Sequence, residues 1–216
     1  MKTTALILRT GILPIIRLPN LQDAVSIAQA ILAGGATALE FTMTNPDALE
    51  AIRRCRVEIS AFAEGTAVIG VGSVLNRDMA ETAVAVGAQF VVAPQINMPT
   101  LAYCRENNIP IMPGALTPTE IQTAWEAGAT AVKVFPARAF GPGYFKDILA
   151  PLPHLKLMAT GGVNLENMGE YFRNGAQMVG VGSNLVDNGM IEAQDWEALT
   201  AKTAEFISAA RQAKAQ

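Results

Sequence analysis

The chain has 216 residues, half of them hydrophobic and 16% charged, with a formal net charge of −3. That length suits one domain, since α/β barrels commonly occupy about 200–250 residues as a unit, and such a chain buries roughly 70% of its unfolded surface. With 16 Lys and Arg against 19 Asp and Glu, the charge balance argues against nucleic acid and anionic membranes as partners, although a small anionic substrate needs only one or two local cations.

The first residues, Met1 to Arg9, mimic a secretory leader only briefly, because Arg9 and Arg17 interrupt the apolar run. No stretch approaches the ~18 apolar residues of a membrane span, so a cytoplasmic enzyme is expected. Eight apolar runs, each followed by a helical stretch, then predict strands near Ile12–Arg17, Thr37–Thr42, Ala67–Gly72, Gln89–Pro94, Ile109–Gly114, Thr130–Pro136, Lys156–Gly161 and Gln177–Gly182. Asn20, Asn45, Asn76, Thr117 and Asn164 stand after strand ends as predicted helix N-caps. Near-continuous apolar strands alternating with amphipathic helices imply a parallel sheet covered by helices. Eight such units imply closure into a (β/α)₈ barrel, a TIM barrel in one domain over residues 1–216 with a last helix from about 194. An open doubly wound sheet is the alternative, less suited to eight strands with no reversal of order.

Gly35-Ala36, Gly87-Ala88, Gly128-Ala129 and Gly175-Ala176 precede the second, fourth, sixth and eighth strands, at intervals of 52, 41 and 47 residues. Glycine ends the helix in a left-handed conformation and alanine starts the strand tightly packed. The interval matches two βα units per step of a quarter-barrel repeat. Five positions after these glycines stand Glu40, Val92, Lys133 and Gly180. Inward side chains of a TIM barrel form layers of four drawn from alternate strands, so these residues are expected to share one layer, with a carboxylate and an amine converging above a glycine. A salt bridge that only fills the barrel is the competing reading, but ionised core groups are costly and rarely outperform apolar packing.

A lysine flanked by Val132, Val134 and Phe135 is poorly solvated, which lowers its pKa and frees the amine to attack a carbonyl. The iminium so formed is an electron sink, and a nearby glutamate can move the protons. This chemistry needs no metal and no cofactor. Cys55 and Cys104, 49 positions apart, read as two reduced thiols in helices, and the single histidine, His154, as a surface residue. Thr160-Gly161-Gly162-Val163-Asn164 and Gly180-Val181-Gly182-Ser183-Asn184 follow the seventh and eighth strands, where barrels often bind phosphate through backbone N–H groups. Gly70-Val71-Gly72-Ser73 offers a third turn with a hydroxyl donor, and Arg17 a guanidinium able to grip a carboxylate.

These residues resemble the 2-keto-3-deoxy-6-phosphogluconate (KDPG) and 4-hydroxy-2-oxoglutarate (KHG) aldolases. The likeness runs from about Ile12 to Leu185 and is carried by Ala38-Leu39-Glu40-Phe41-Thr42, Gly70-Val71-Gly72-Ser73-Val74-Leu75, Val92-Ala93-Pro94, Met112-Pro113-Gly114, Val132-Lys133-Val134-Phe135-Pro136-Ala137, Ala159-Thr160-Gly161-Gly162-Val163 and Gly180-Val181-Gly182-Ser183. The resemblance implies a metal-independent class I aldolase, a lyase on a barrel assembled as a homotrimer. It implies Lys133 as the Schiff-base lysine and Glu40 as the general acid/base. It adds Arg17, Ser73, Pro94, Phe135, Thr160, Gly161, Gly162, Gly182 and Ser183 as residues that bind pyruvate or a phosphorylated keto-deoxy sugar acid. Many members carry an arginine where this chain has Thr44, and the third-strand turn usually ends in threonine rather than Ser73. Members acting on the galactonate epimer (KDPGal) instead have an arginine at the Arg17 position and a sixth loop like Phe140-Gly141-Pro142-Gly143-Tyr144. A phosphate-binding barrel isomerase or epimerase without a covalent lysine, or a non-catalytic scaffold, are the alternatives.

Overall fold

A computed structural model describes residues 2–215. Its strands are β1 (Ile12–Ile16), β2 (Ala38–Thr42), β3 (Val68–Gly72), β4 (Val91–Val92), β5 (Ile111–Met112), β6 (Gly114–Ala115), β7 (Val132–Val134), β8 (Leu157–Thr160) and β9 (Met178–Val181). Every pairing is parallel, in the order β5-β4-β3-β2-β1-β9-β8-β7-β6. The two ends of that order are one run of chain interrupted at Pro113, which has no N–H to give a ladder. The Pro113 carbonyl still accepts the Lys133 N–H at 2.9 Å. Nine strand segments therefore build the eight staves expected, and the fifth stave closes the barrel on itself. Followed pair by pair round the barrel, the register starting at Glu40 returns to β2 eight residues earlier, the stagger of a TIM barrel.

The helices are α1 (Lys2–Arg9), α2 (Ala24–Ala33), α3 (Ala48–Glu58), α4 (Ser60–Ala63), α5 (Arg77–Ala85), α6 (Met98–Glu106), α7 (Pro118–Glu126), α8 (Gly143–Leu149), α9 (Met168–Arg173), α10 (Asn188–Glu192) and α11 (Trp196–Lys214). Alternation along each strand splits the buried residues into two cores. Leu39, Phe41, Ile69, Val71, Val132, Val134 and Val179 face outward into the shell against the helices. Leu13, Ala38, Val68, Phe90, Val92, Met112, Ala131, Met158 and Met178 fill the barrel interior. Into that interior α1 inserts Leu6 and Ile7 from the N-terminal end of the strands, and the Thr37 hydroxyl donates to the Leu6 carbonyl at 2.7 Å. The segment read only as a brief leader mimic is thus the barrel's plug.

The four Gly-Ala signals behave as one motif. Gly35, Gly87, Gly128 and Gly175 have φ of +96, +111, +101 and +98°. Behind them Ala36, Ala88, Ala129 and Ala176 donate back five residues to Ile31, Ala83, Ala124 and Tyr171, the closing bond of a Schellman turn. Asn108, at φ +55°, makes the same turn before β5, with Ile109 donating to Cys104. Among the N-caps, Asn76 accepts from Met79, and Thr117 forms a capping box with Glu120. Asn20, Asn45 and Asn164 do not cap. Asn20 closes a turn onto Gln22, and Asn45 ties the Leu18 and Pro19 carbonyls. Asn164 accepts from Asn167, one turn before α9 begins. In each case an irregular stretch separates strand from helix, and the short side chain bonds loop backbone, its own or for Asn45 also a neighbouring loop's, instead of a helix end. Cys55 and Cys104 are buried thiols in α3 and α6, and His154 is exposed.

Ile7 is entirely buried, so Ile7→Ala opens a void in the plug and should lower the unfolding free energy by about 2–5 kcal/mol. Urea denaturation with an unchanged slope is the check.

Candidate active site

The strand register sorts the inward positions into layers. Glu40, Val92, Lys133 and Gly180 form one layer, as the spacing predicts. Toward the C-terminal ends of the strands the next layer is Ile15, Gly72, Gly114 and Thr160, followed by Thr42, Pro94, Phe135 and Gly182. The glycines make the space above the amine and carboxylate. A Cβ on Gly72 would stand 2.5 Å from Glu40 Oε1, and one on Gly180 would stand 2.6 Å from Thr160 Oγ1.

Glu40 is 1% and Lys133 4% exposed, yet they form no ion pair among the described residues; the pairs present are Arg53–Glu50, Arg54–Glu58 and Arg77–Glu81, all on the surface. Lys133 Nζ sits 4.8 Å from the Phe135 ring centroid. Burial pushes the Glu40 carboxyl up to about 7, a rise held in check by the positive charges of Lys133 and Arg17. Burial lowers the Lys133 ammonium, opposed by Glu40 and reinforced by Arg17. Among the described residues, Glu40 Oε2 and Thr160 Oγ1 are the buried side-chain polar atoms left without a hydrogen-bond partner. In a well-packed interior such atoms are rare, and both of these point to the same layers of the barrel mouth.

Above these layers a cavity of about 260 Å³ opens between β1, β7, β8 and β9. It is lined by Ile15, Arg17, Phe135, Pro136, Arg138, Thr160, Gly161, Gly162, Val163, Gly180, Gly182, Ser183 and Asn184. Of the residues singled out in the sequence it brings together Arg17, Phe135, Thr160, Gly161, Gly162, Gly182 and Ser183. Lys133 and Glu40 lie in its floor layer rather than on its open wall. Ser73 and Pro94 do not line it: they end β3 and extend β4 on the opposite side of the mouth, Pro94 with its carbonyl packed against Gly114, Ser73 in a left-handed conformation at φ +60°. Arg138 joins the lining without having been foreseen, and Asn184 does so as the last residue of the turn after the eighth stave. At the position lacking arginine, Thr44 is engaged with the Thr42 hydroxyl at 2.9 Å, and Thr42 donates to the Ile16 carbonyl beside Arg17.

The turn after β8 is shaped by Gly161 and Gly162 at φ +98 and +86°. Asn167 donates to the Gly162 carbonyl and Asn184 to the Val163 carbonyl. The N–H groups of Gly162, Val163, Ser183 and Asn184 donate to no protein acceptor among the described residues, leaving a set of amides suited to an anion.

A closed parallel barrel that holds a desolvated amine and a carboxylate in one inward layer, beneath an amide-lined cavity, has the construction of a class I aldolase. The family described as KDPG and KHG aldolase matches residues 4–202, and the chain belongs to it. The 2-dehydro-3-deoxy-phosphogluconate aldolase of Treponema pallidum is 36% identical over 200 residues, 92% of this chain and 93% of its own. The native KDPGal structure superposes with a TM-score of 0.86 at 31% identity, covering 95% of this chain and 96% of that one. The KDPG aldolase of Legionella pneumophila, with pyruvate captured as a covalent carbinolamine, gives 0.85 at 30% identity over 94% and 97%.

A carboxyl raised from 4.5 to about 7 stabilises the fold most below its unfolded pKa, and that stability is lost as pH climbs through about 7. Glu40→Gln removes the loss. Urea denaturation should find the two proteins alike near pH 4.5 and the variant ahead above pH 7, by up to about 3 kcal/mol.

Proposed function

We propose that the chain cleaves a 2-keto-3-deoxy-6-phospho sugar acid, of the gluconate or galactonate series, to pyruvate and glyceraldehyde 3-phosphate, with Lys133 as the covalent catalyst. The observation that carries this reading is the unpaired, buried Lys133 in the same layer as Glu40, under a space kept open by Gly72 and Gly180. Desolvation supplies the neutral amine, which attacks the keto carbon C2. The carbinolamine loses water to give an iminium. Glu40, titrating near neutrality, takes the proton of the C4 hydroxyl, directly or through one water. The C3–C4 electron pair moves into the iminium as that bond breaks, releasing the aldehyde and leaving an enamine. Protonation of the enamine carbon and hydrolysis return the amine and free pyruvate.

Arg17 suits the substrate carboxylate: it lines the cavity and its charge is felt by both Glu40 and Lys133. The partnerless Thr160 hydroxyl and the Phe135 ring flank the same carbon skeleton. The free amides of Gly162 and Ser183, in turns opened by Gly161 and Gly182, suit a phosphate at the outer end. Ser73 and Pro94 fit the opposite wall, where the sugar-acid hydroxyls would pass. 4-Hydroxy-2-oxoglutarate meets the same amine and carboxylate with no use for the amide cradle. Trimeric assembly belongs to this reading as well.

Borohydride reduction in the presence of pyruvate should add a pyruvate-sized mass to Lys133, and Lys133→Met should show no adduct; an unmodified wild-type lysine refutes the reading. Glu40→Gln should lower kcat on the order of 10²–10⁴-fold and remove the inflection near pH 7 from the rate profile. Arg17→Ala should raise the KM for the keto acid roughly ten- to a hundredfold; an unchanged KM removes Arg17 from the carboxylate role.

A further inference from the structure

The cavity wall carries two arginines and no acidic residue, although a single carboxylate would occupy only one guanidinium. Arg138 stands five residues beyond Lys133, in the 3₁₀ turn Ala137–Ala139. Its N–H donates to the Gly161 carbonyl at 3.1 Å. Its side chain lies across Gly162, so close that a Cβ there would stand 3.0 Å from Arg138 Cβ and 3.3 Å from Cδ. Backbone and stem together fix the residue to the glycine turn whose amides are free. Arg138 forms no ion pair among the described residues, and it is exposed at the mouth.

The two arginines occupy different depths. Arg17 perturbs both Lys133 and Glu40, while Arg138 contributes to neither. The keto carbon attached to Lys133 carries the carboxylate directly, and the phosphate sits four carbons further out. A cation near the amine therefore matches the carboxylate, and a cation at the rim on Gly162 matches the phosphate. Neutral amides alone give a phosphate orientation, while a guanidinium adds charge and a two-pronged grip. We infer that Arg138 is a specificity-determining residue that reads the terminal phosphate and makes the enzyme favour phosphorylated over unphosphorylated 2-keto acids. The inference rests on the aldolase reading above for its substrate, and on Gly162 for its geometry.

Arg138→Gln and Arg138→Lys test it, with 2-keto-3-deoxy-6-phosphogluconate or its galactonate epimer against 4-hydroxy-2-oxoglutarate. In Arg138→Gln the KM for the phosphorylated acid should rise on the order of ten- to a hundredfold, with kcat and the constants for the unphosphorylated acid within about twofold, and Arg138→Lys should recover part of the loss. Binding of inorganic phosphate, read by calorimetry, should weaken by a similar factor, a measurement independent of turnover. Pyruvate trapping on Lys133 should be unchanged, so failure of the aldolase reading shows in the wild type and failure of this inference only in the variants. Equal losses on both acids, or undiminished phosphate binding in Arg138→Gln, overturn it.

Discussion

Two ionisable side chains held in an apolar barrel without touching each other set the terms for the rest of this molecule. A buried charge is ordinarily neutralised by a bonded partner or by a shifted pKa, and Glu40 and Lys133 show the second outcome. Moving them together would satisfy the charges and close the space between them. Glu40 on β2 and Lys133 on β7 instead stand apart in one layer of the barrel, above an interior filled by apolar side chains. The sheet thus spends part of its stability on an arrangement that packing alone would not select. The partnerless Glu40 Oε2 and Thr160 Oγ1 belong to the same account.

What holds the layer in register is a repeated local device. Each left-handed glycine stops a helix at a set distance from the next strand, so position five after it falls at the same height on staves two, four, six and eight. That is why the layer of Glu40, Val92, Lys133 and Gly180 was legible before any coordinates: the signal was a spacing between glycines and chemistry-bearing residues. The fifth turn uses Asn108, which a search for Gly-Ala pairs passes over even though asparagine tolerates the same conformation. The break at Pro113 is likewise visible in the chain only as a proline within an apolar run, and its effect of dividing one stave between two neighbours depends on partners far away in sequence.

Other features left no periodic trace. The α1 plug reads as a short apolar stretch with a basic flank because its meaning lies in the hole it fills, which only closure of the sheet creates. Asn20, Asn45 and Asn164 carry the residue type of a cap, but Asn20 and Asn164 bond within their own loops and Asn45 also reaches across to the loop after β1; residue type identifies the capability and the backbone path chooses its use. Arg138 sits in an irregular turn among exposed residues, and it becomes notable only through contact with Gly162, 24 positions further along the chain. Ser73 and Pro94 were drawn in by their motifs and stand outside the open cavity, since a motif fixes a residue on a strand end without saying which side of the mouth stays unfilled.

The plug has a further consequence for traffic. With Leu6 and Ile7 completing an interior already filled by Leu13, Met112, Met158 and Met178, the site is a blind well open at its mouth, and anything inside must queue. A fragment seated on the floor can depart only after the piece nearer the lip has gone, and newcomers must approach by the same route. Sequential departure would then be a matter of plumbing: the filled interior, to which the helix at the far end adds two side chains, leaves one doorway for everything that enters or leaves.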